Sequence, residues 1–175
     1  MNKAITDTGP PLHLNETGYI QLLKLFDTLL VSTQVKEELQ DLGVWYSLTK
    51  QKAIHLQEEI IIDDEITKEQ DRWKDLTLHR ADVSVLVLVK RMADALALTD
   101  DLALRKAIES LGRVVVGSVG ILIRGYREKR LSKDELHKGV DLLFNDSSLY
   151  LSRIFRDRVR KLVEELEETQ RENEG

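Results

Sequence analysis

Short apolar runs alternate with helical patterns along this chain. "KAITD" (3–7) reads as a strand ending in an acid, and "GYIQLLKLF" (18–26) as a helix that turns Ile20, Leu22, Leu23 and Phe26 inward. "TLLVS" (28–32) reads as a second strand, and "TQVKEELQDL" (33–42) as a helix that Thr33 is placed to cap. "HRADVSVLVLVKRMA" (79–93) is rich in valine, yet its length favours helix over strand. "ALALT" (95–99) predicts a strand, "DLALRKAIESLG" (101–112) a helix closed by Gly112, "RVVVGS" (113–118) the last strand, and "VGILIRGYREKR" (119–130) the helix after it. The order β-α-β-α-α-β-α-β-α predicts an α/β fold, with a mostly parallel sheet covered on both faces.

Two stretches depart from this rhythm. Residues 43–77 hold "EEIIID" (58–63), a candidate extra strand, between polar segments, and read as an insertion or lid. From Ser147 onward, Leu151, Ile154, Phe155, Val159, Leu162, Val163 and Leu166 form an amphipathic stripe. Residues 1–145 are therefore expected to form the main domain. The helix over 146–175 packs on that domain or serves as an oligomer or partner contact.

Composition narrows the chemistry. At 175 residues the chain has the length of one domain, and with no cysteine it offers no disulfide, thiolate ligand or thiol nucleophile. No apolar stretch approaches the roughly 20 residues needed to cross a bilayer, and "MNKAITDTGPP" lacks the apolar core of a signal peptide, so the expectation is a cytoplasmic protein with no membrane association. A net charge of −5 argues against broad coating of nucleic acid. Local basic surfaces remain in "RGYREKRLSK" (124–133) and "RIFRDRVRK" (153–161), where solvated helix faces are the simpler reading.

The acids carry the functional signal. Ligands of open parallel α/β sheets sit beyond the carboxyl ends of the strands. Asp7 ends the first strand and Asp100 and Asp101 follow "ALALT", so both places fall at the same sheet edge. In the helix over 33–42, Val35, Leu39 and Leu42 define the buried stripe; at about 100° per residue, Glu38 falls beside it and Glu37 nearly opposite. Asp82 opens the valine-rich helix on the face of Leu86, Val89 and Ala93. Singly, each acid has a plain structural role as a turn residue, a cap or a helix start. Gathered in one cleft they would repel one another unless a hard divalent cation sat among them, and Mg²⁺ or Mn²⁺ suits such oxygen ligands.

"ITDTGPPLHL", "VSTQVKEEL", "ADVSVLVLVKRMADALALTDDLALRKAIESLG" and "RVVVGSVGILIRGYREKRLSK" together resemble a PIN domain, in order from about Lys3 to Lys133, and are most similar to prokaryotic VapC-like ribonucleases. The resemblance implies a PIN-like α/β/α sandwich and a Mg²⁺- or Mn²⁺-dependent ribonuclease. The family's four acids map onto Asp7, Glu38, Asp82 and either Asp101 or Asp100, and Glu38 is also the acid that helical phase selects. Asp7, Asp82 and Asp101 are the implied principal ligands. Glu38 would bind a second ion or orient water, Asp100 is an alternate ligand, and Thr99 and Thr8 are supporting hydroxyls. RNA is the implied substrate, with Arg124, Arg127 and Arg130, or Arg153 and Arg156, as candidate phosphate contacts. A homodimer and a small antitoxin partner are further expectations. Three features depart from the family: the second proline after Gly9, Arg80 where the nearest subgroup carries a glutamate, and the segment 43–77.

Other chemistry finds little support. His13, His55, His79 and His137 show no metal-ligand spacing and read as surface or satisfied histidines, and Ser118 has no base near it in sequence. Trp45, Tyr46 and Trp73 are equally suited to stacking on bases or to anchoring 43–77. Three functions follow: the ribonuclease toxin of a toxin–antitoxin pair, a PIN nuclease of RNA processing or repair, or an inactive PIN-like interaction module.

Overall fold

The computed structural model describes residues 2–174, with side chains for all of these but 167 and 169–174. Five strands, β1 (Lys3–Thr6), β2 (Thr28–Ser32), β3 (His55–Glu59), β4 (Leu96–Leu98) and β5 (Val115–Val116), form one sheet in the order β3-β2-β1-β4-β5. Every pairing is parallel, with Ile5 opposite both Leu30 and Ala97. The helices are α1 (Gly9–Glu16), α2 (Thr33–Asp41), α3 (Val44–Thr49), α4 (Asp63–Arg72), α5 (Arg80–Arg91), α6 (Leu102–Ser110), α7 (Ser118–Arg127), α8 (Lys133–Asn145) and α9 (Arg153–Glu174). Central strands buried on both faces need apolar residues at successive positions. Thr28–Ser32 is buried throughout, as are Ala4 and Ile5. The fold is a PIN-like α/β/α sandwich.

The strand order has one consequence for function. From β1 the chain builds outward to β2 and β3, then crosses back to β4 on the other side of β1. The switch point therefore lies between the carboxyl ends of β1 and β4, where open sheets of this type bind ligands. Asp7 follows β1 and Asp100–Asp101 follow β4.

Several local expectations are corrected. "GPPLHLNE" is helix α1: Gly9, Pro10 and Pro11 occupy its first turn, where the missing N–H groups have no intrahelical acceptor to lose. Residues 20–25 form a 3₁₀ turn rather than an α-helix, ending where Phe26 becomes extended and Asp27 N–H donates to Asn2 O. Ser32, not Thr33, caps α2 by accepting from Val35 N–H at 3.1 Å, and Leu42 ends up half exposed beyond the helix. Ala93 likewise lies beyond α5 and is exposed.

The segment 43–77 is built into the domain. Its strand is His55–Glu59, three residues upstream of "EEIIID", because pairing with β2 sets the register at Leu29↔Leu56 and Val31↔Glu58. Leu48, Ile54, Ile61 and Ile66 from this segment enter the core. Ser132 and Glu135 cap α8 reciprocally, a pattern present in "SKDE". The stripe on α9 divides: Val159 and Val163 are buried, whereas Ile154 and Phe155 remain exposed.

Candidate functional site

Asp7 is the centre of the arrangement. Its N–H donates to Leu98 O at 2.9 Å, continuing the β1–β4 ladder past the end of β1. Its Oδ1 accepts from Thr8 N–H at 2.6 Å and its Oδ2 from Thr99 Oγ1 at 2.9 Å. The same Thr99 hydroxyl accepts from Asp101 N–H at 3.0 Å, so one buried oxygen joins the first acid to the backbone of the last. Thr8 Oγ1 in turn donates to Glu38 Oε2 at 2.5 Å, which ties α2 to the end of β1. Both supporting threonines thus touch an acid of the set.

Ser32 positions the remaining two acids. It caps α2, which carries Glu38 six residues on, and its Oγ lies 2.6 Å from Ser84 Oγ in α5. Asp82 sits in the first turn of α5, where its Oδ2 accepts from His79 N–H at 2.6 Å. Asp101 caps α6 by accepting from Leu104 N–H at 2.7 Å on Oδ1. Glu38 is half-buried and Glu37 exposed, in the phase the sequence implied.

These four acids share one electrostatic field. Burial first, then Asp82 and Glu38, raise the Asp7 carboxyl to about 7 against the hydrogen bonds from Thr8 and Thr99, which lower it. Burial also raises Asp82, opposed by the His79 N–H and by the His79 ring, while Asp101 and Glu38 add to it. None of the four forms an ion pair with a lysine or arginine among the described residues. Glu38 Oε1, Asp82 Oδ1 and Asp101 Oδ2 accept no hydrogen bond from those residues either. Among the described residues no three acids or histidines stand close enough to form a ready-made chelate. The donor set nevertheless fits a hard divalent cation: it is anionic, it is all oxygen, and among the described residues it lacks a lysine or arginine counterion.

Asp100 has a different role from its neighbour. Its Oδ1 accepts from Ser118 N–H at 2.7 Å, and its Oδ2 meets both Ser118 Oγ at 2.5 Å and His13 Nδ1 at 2.7 Å. A Cβ at Gly117 would stand 2.6 Å from Asp100 Oδ1, so the glycine makes room for this carboxylate. Asp100 latches α1 and α7 onto the turn that carries Thr99 and Asp101.

A family model described as a PIN domain matches residues 3–165. The chain belongs to the PIN-domain family. PIN domains are generally nucleases and typically use divalent metal ions. No curated protein and no solved structure matches the chain.

Within this PIN domain the basic candidates on α7 run away from the acids. Ser118, at the start of α7, is at the acid edge; Arg127 is nine residues on, about 14 Å along the helix axis. Arg124 donates to Glu128 and lies 4.9 Å over the Phe26 ring, and Arg127 and Arg130 are exposed beyond it. Arg156 stacks on Phe144 at 5.4 Å between α8 and α9, and Arg153 is exposed at the start of α9. Arg80 pairs with Asp63 of α4. Trp73 donates to Glu69 and Trp45 lies beneath Lys36, so both tryptophans are occupied within the fold.

Sequence reasoning set aside two residues that the structure brings to the site, His13 and Ser118. Ser118 carried a signal, since "VVVGS" puts a glycine and a hydroxyl at a strand's carboxyl end. His13 carried none, because its partner Asp100 is 87 residues away.

Proposed function

We propose that this PIN domain is a Mg²⁺- or Mn²⁺-dependent endoribonuclease that hydrolyses RNA phosphodiester bonds. The observation that carries the reading is the gathering of Asp7, Glu38, Asp82 and Asp101 at the β1–β4 switch point without a lysine or arginine partner among the described residues. Holding several carboxylates half-buried and unmatched costs several kcal/mol per ion by order of magnitude. Perturbed acids clustered at a sheet's ligand edge are a mark of functional sites.

Asp7, Asp82 and Asp101 would hold the ion, with Glu38 placed for a second ion or for orienting water. When bound, the ion supplies charge neutralisation and Lewis acidity for attack on phosphorus. The protein's own part is positional. Thr99 fixes Asp7 relative to Asp101, Thr8 holds Glu38, and Asp100, which meets three groups from Ser118 and His13, serves as the latch behind the site.

A partner-controlled toxin is favoured over a free-standing processing enzyme by the outer face of α9. Ile154 is 82% exposed, and an apolar groove of about 940 Å³ runs between α7 and α9 up to Asp100. A second copy of the chain or a small antitoxin would cover that face.

The test is cleavage of single-stranded RNA with Mg²⁺ or Mn²⁺, against chelator and against Asp7→Asn. Metal-dependent cutting that falls at least about a hundredfold in the variant is expected, in the range for loss of a principal catalytic electrostatic contact. Folded protein that cuts nothing with either metal would overturn the reading. Growth arrest on expression that Asp7→Asn abolishes is the expected sign of the toxin role.

A further inference from the structure

His13 has a geometry that the four-acid site does not explain. It stands one turn into α1, nine-tenths buried, with Nδ1 2.7 Å from Asp100 Oδ2. A carboxylate only accepts, so that contact places a proton on Nδ1 and fixes the ring's orientation. The other nitrogen, Nε2, has no hydrogen-bond partner among the described residues and is not buried away from solvent. His13 lines a pocket of about 360 Å³ whose wall also includes Asp7 and Asp101. An oriented, unpartnered ring nitrogen therefore opens beside two of the acids.

The pocket wall is mixed. His13, Asp7 and Asp101 give it polar groups, and Leu102, Leu149 and Tyr150, the last 88% exposed, give it apolar and aromatic surface. Ser148, which precedes these residues, is held by Glu16, whose Oε2 accepts from its N–H at 2.9 Å and its hydroxyl at 3.0 Å. The volume is near the lower end of the roughly 300–1,000 Å³ typical of small-molecule sites, room for one nucleoside rather than a length of strand.

We propose that this pocket is a nucleoside subsite of the hydrolytic site. In it His13 Nε2 hydrogen-bonds the ribose 2′-hydroxyl of a nucleotide beside the cleaved phosphate, and Tyr150 stacks on its base. The inference rests on the ribonuclease reading and adds a reason for preferring RNA to DNA. A hydroxyl both donates and accepts, so the bond forms whichever protonation state the ring adopts. A phosphate is the poorer occupant there, because Asp7, Asp100 and Asp101 line the same pocket. The flat, exposed ring of Tyr150 suits any base, since base stacking on aromatics is sequence-tolerant.

The experiment measures binding separately from cutting. In an Asp7→Asn background with Mn²⁺, a labelled single-stranded RNA octamer and the same sequence on 2′-deoxyribose are titrated by fluorescence anisotropy. Wild-type protein is assayed in parallel for RNA cleavage. The RNA is expected to bind about tenfold more tightly than the deoxy strand, the order of one well-formed hydrogen bond. Adding His13→Asn, whose amide keeps a donor near Nδ1 but leaves nothing at Nε2, is expected to bring the ratio to about one with an unchanged melting midpoint. His13→Gln, whose amide reaches toward Nε2, is expected to restore part of the preference and covers the case in which His13→Asn does not fold. Tyr150→Ala is expected to weaken both strands alike, by about tenfold.

Equal binding of the two strands, no RNA binding at all, or a preference that survives His13→Asn would overturn the subsite. RNA preference without cutting by the wild type would overturn the nuclease reading and leave the subsite standing. Cutting without RNA preference would do the reverse.

Discussion

Asp7 and Glu69 are both buried acids, 6% and 5% exposed, and the fold treats them in opposite ways. Glu69, on α4, is pushed up by burial but brought below the usual carboxylate range by Lys90, Trp73 and Arg72. Two neighbours on α4 are matched too: Glu65 pairs with Arg91 and Asp63 with Arg80, so three acids of α4 meet the three cations of α5 one by one. Asp7 has burial, Asp82 and Glu38 against it, and only uncharged donors in its favour. Matched acids fasten one helix to another. Unmatched acids at a ligand edge lower the stability of the fold, and on the proposed function they are retained for a cation and a substrate.

The largest test of this contrast removes the match. Lys90→Met leaves Glu69 buried without its principal partner, and is expected to lower unfolding free energy by about 3 kcal/mol in urea titrations. A loss under about 0.5 kcal/mol would mean that Trp73 and Arg72 suffice and that the α4–α5 pairing is incidental.

The next test relieves the mismatch. Asp7 titrates near 3.8 when unfolded and about 7 when folded, so its contribution to stability is full below 3.8 and is lost as pH rises to about 7. Asp7→Asn in chelator should therefore gain on the wild type between pH 5 and pH 8, by roughly 2 kcal/mol in paired melts. Mn²⁺ at pH 8 should raise the wild-type melting temperature more than that of Asp7→Asn, closing the gap. A gap that stays constant with pH would count against strain at Asp7.

The smallest test concerns Arg80, two residues before Asp82. It and Asp63 are both largely exposed, so their pairing falls among surface ion pairs. Arg80→Ala is expected to cost less than about 0.5 kcal/mol. Because Arg80 is engaged with α4, RNA cleavage should change less than about twofold; a larger gain in activity would show instead that Arg80 partly neutralises the acid edge.

Periodicity and punctuation made much of this architecture legible in the sequence. The strands at Lys3, Thr28 and Leu96, the valine-rich helix α5 and the stop at Gly112 follow from near neighbours, which local pattern reports well. So does the choice of Glu38 over Glu37, since helical phase is a local property. Placing Asp7 and Asp100–Asp101 at one edge needed only the inference that the sheet is parallel.

What the tertiary structure alone decided depends on contacts between distant parts of the chain. The register of β3 came from pairing with β2, which moved the strand off "EEIIID" onto His55–Glu59. The division of labour between Asp100 and Asp101 came from Ser118 and His13, two residues on other helices. Whether a buried acid is strained or satisfied came from the cations across the interface, present for Glu69 and absent for Asp7 among the described residues. Sequence determines which residues carry charge and which strand ends carry acids. Only the packed chain decides which charges meet, because electrostatic energy depends on separation and burial, and the fold sets both.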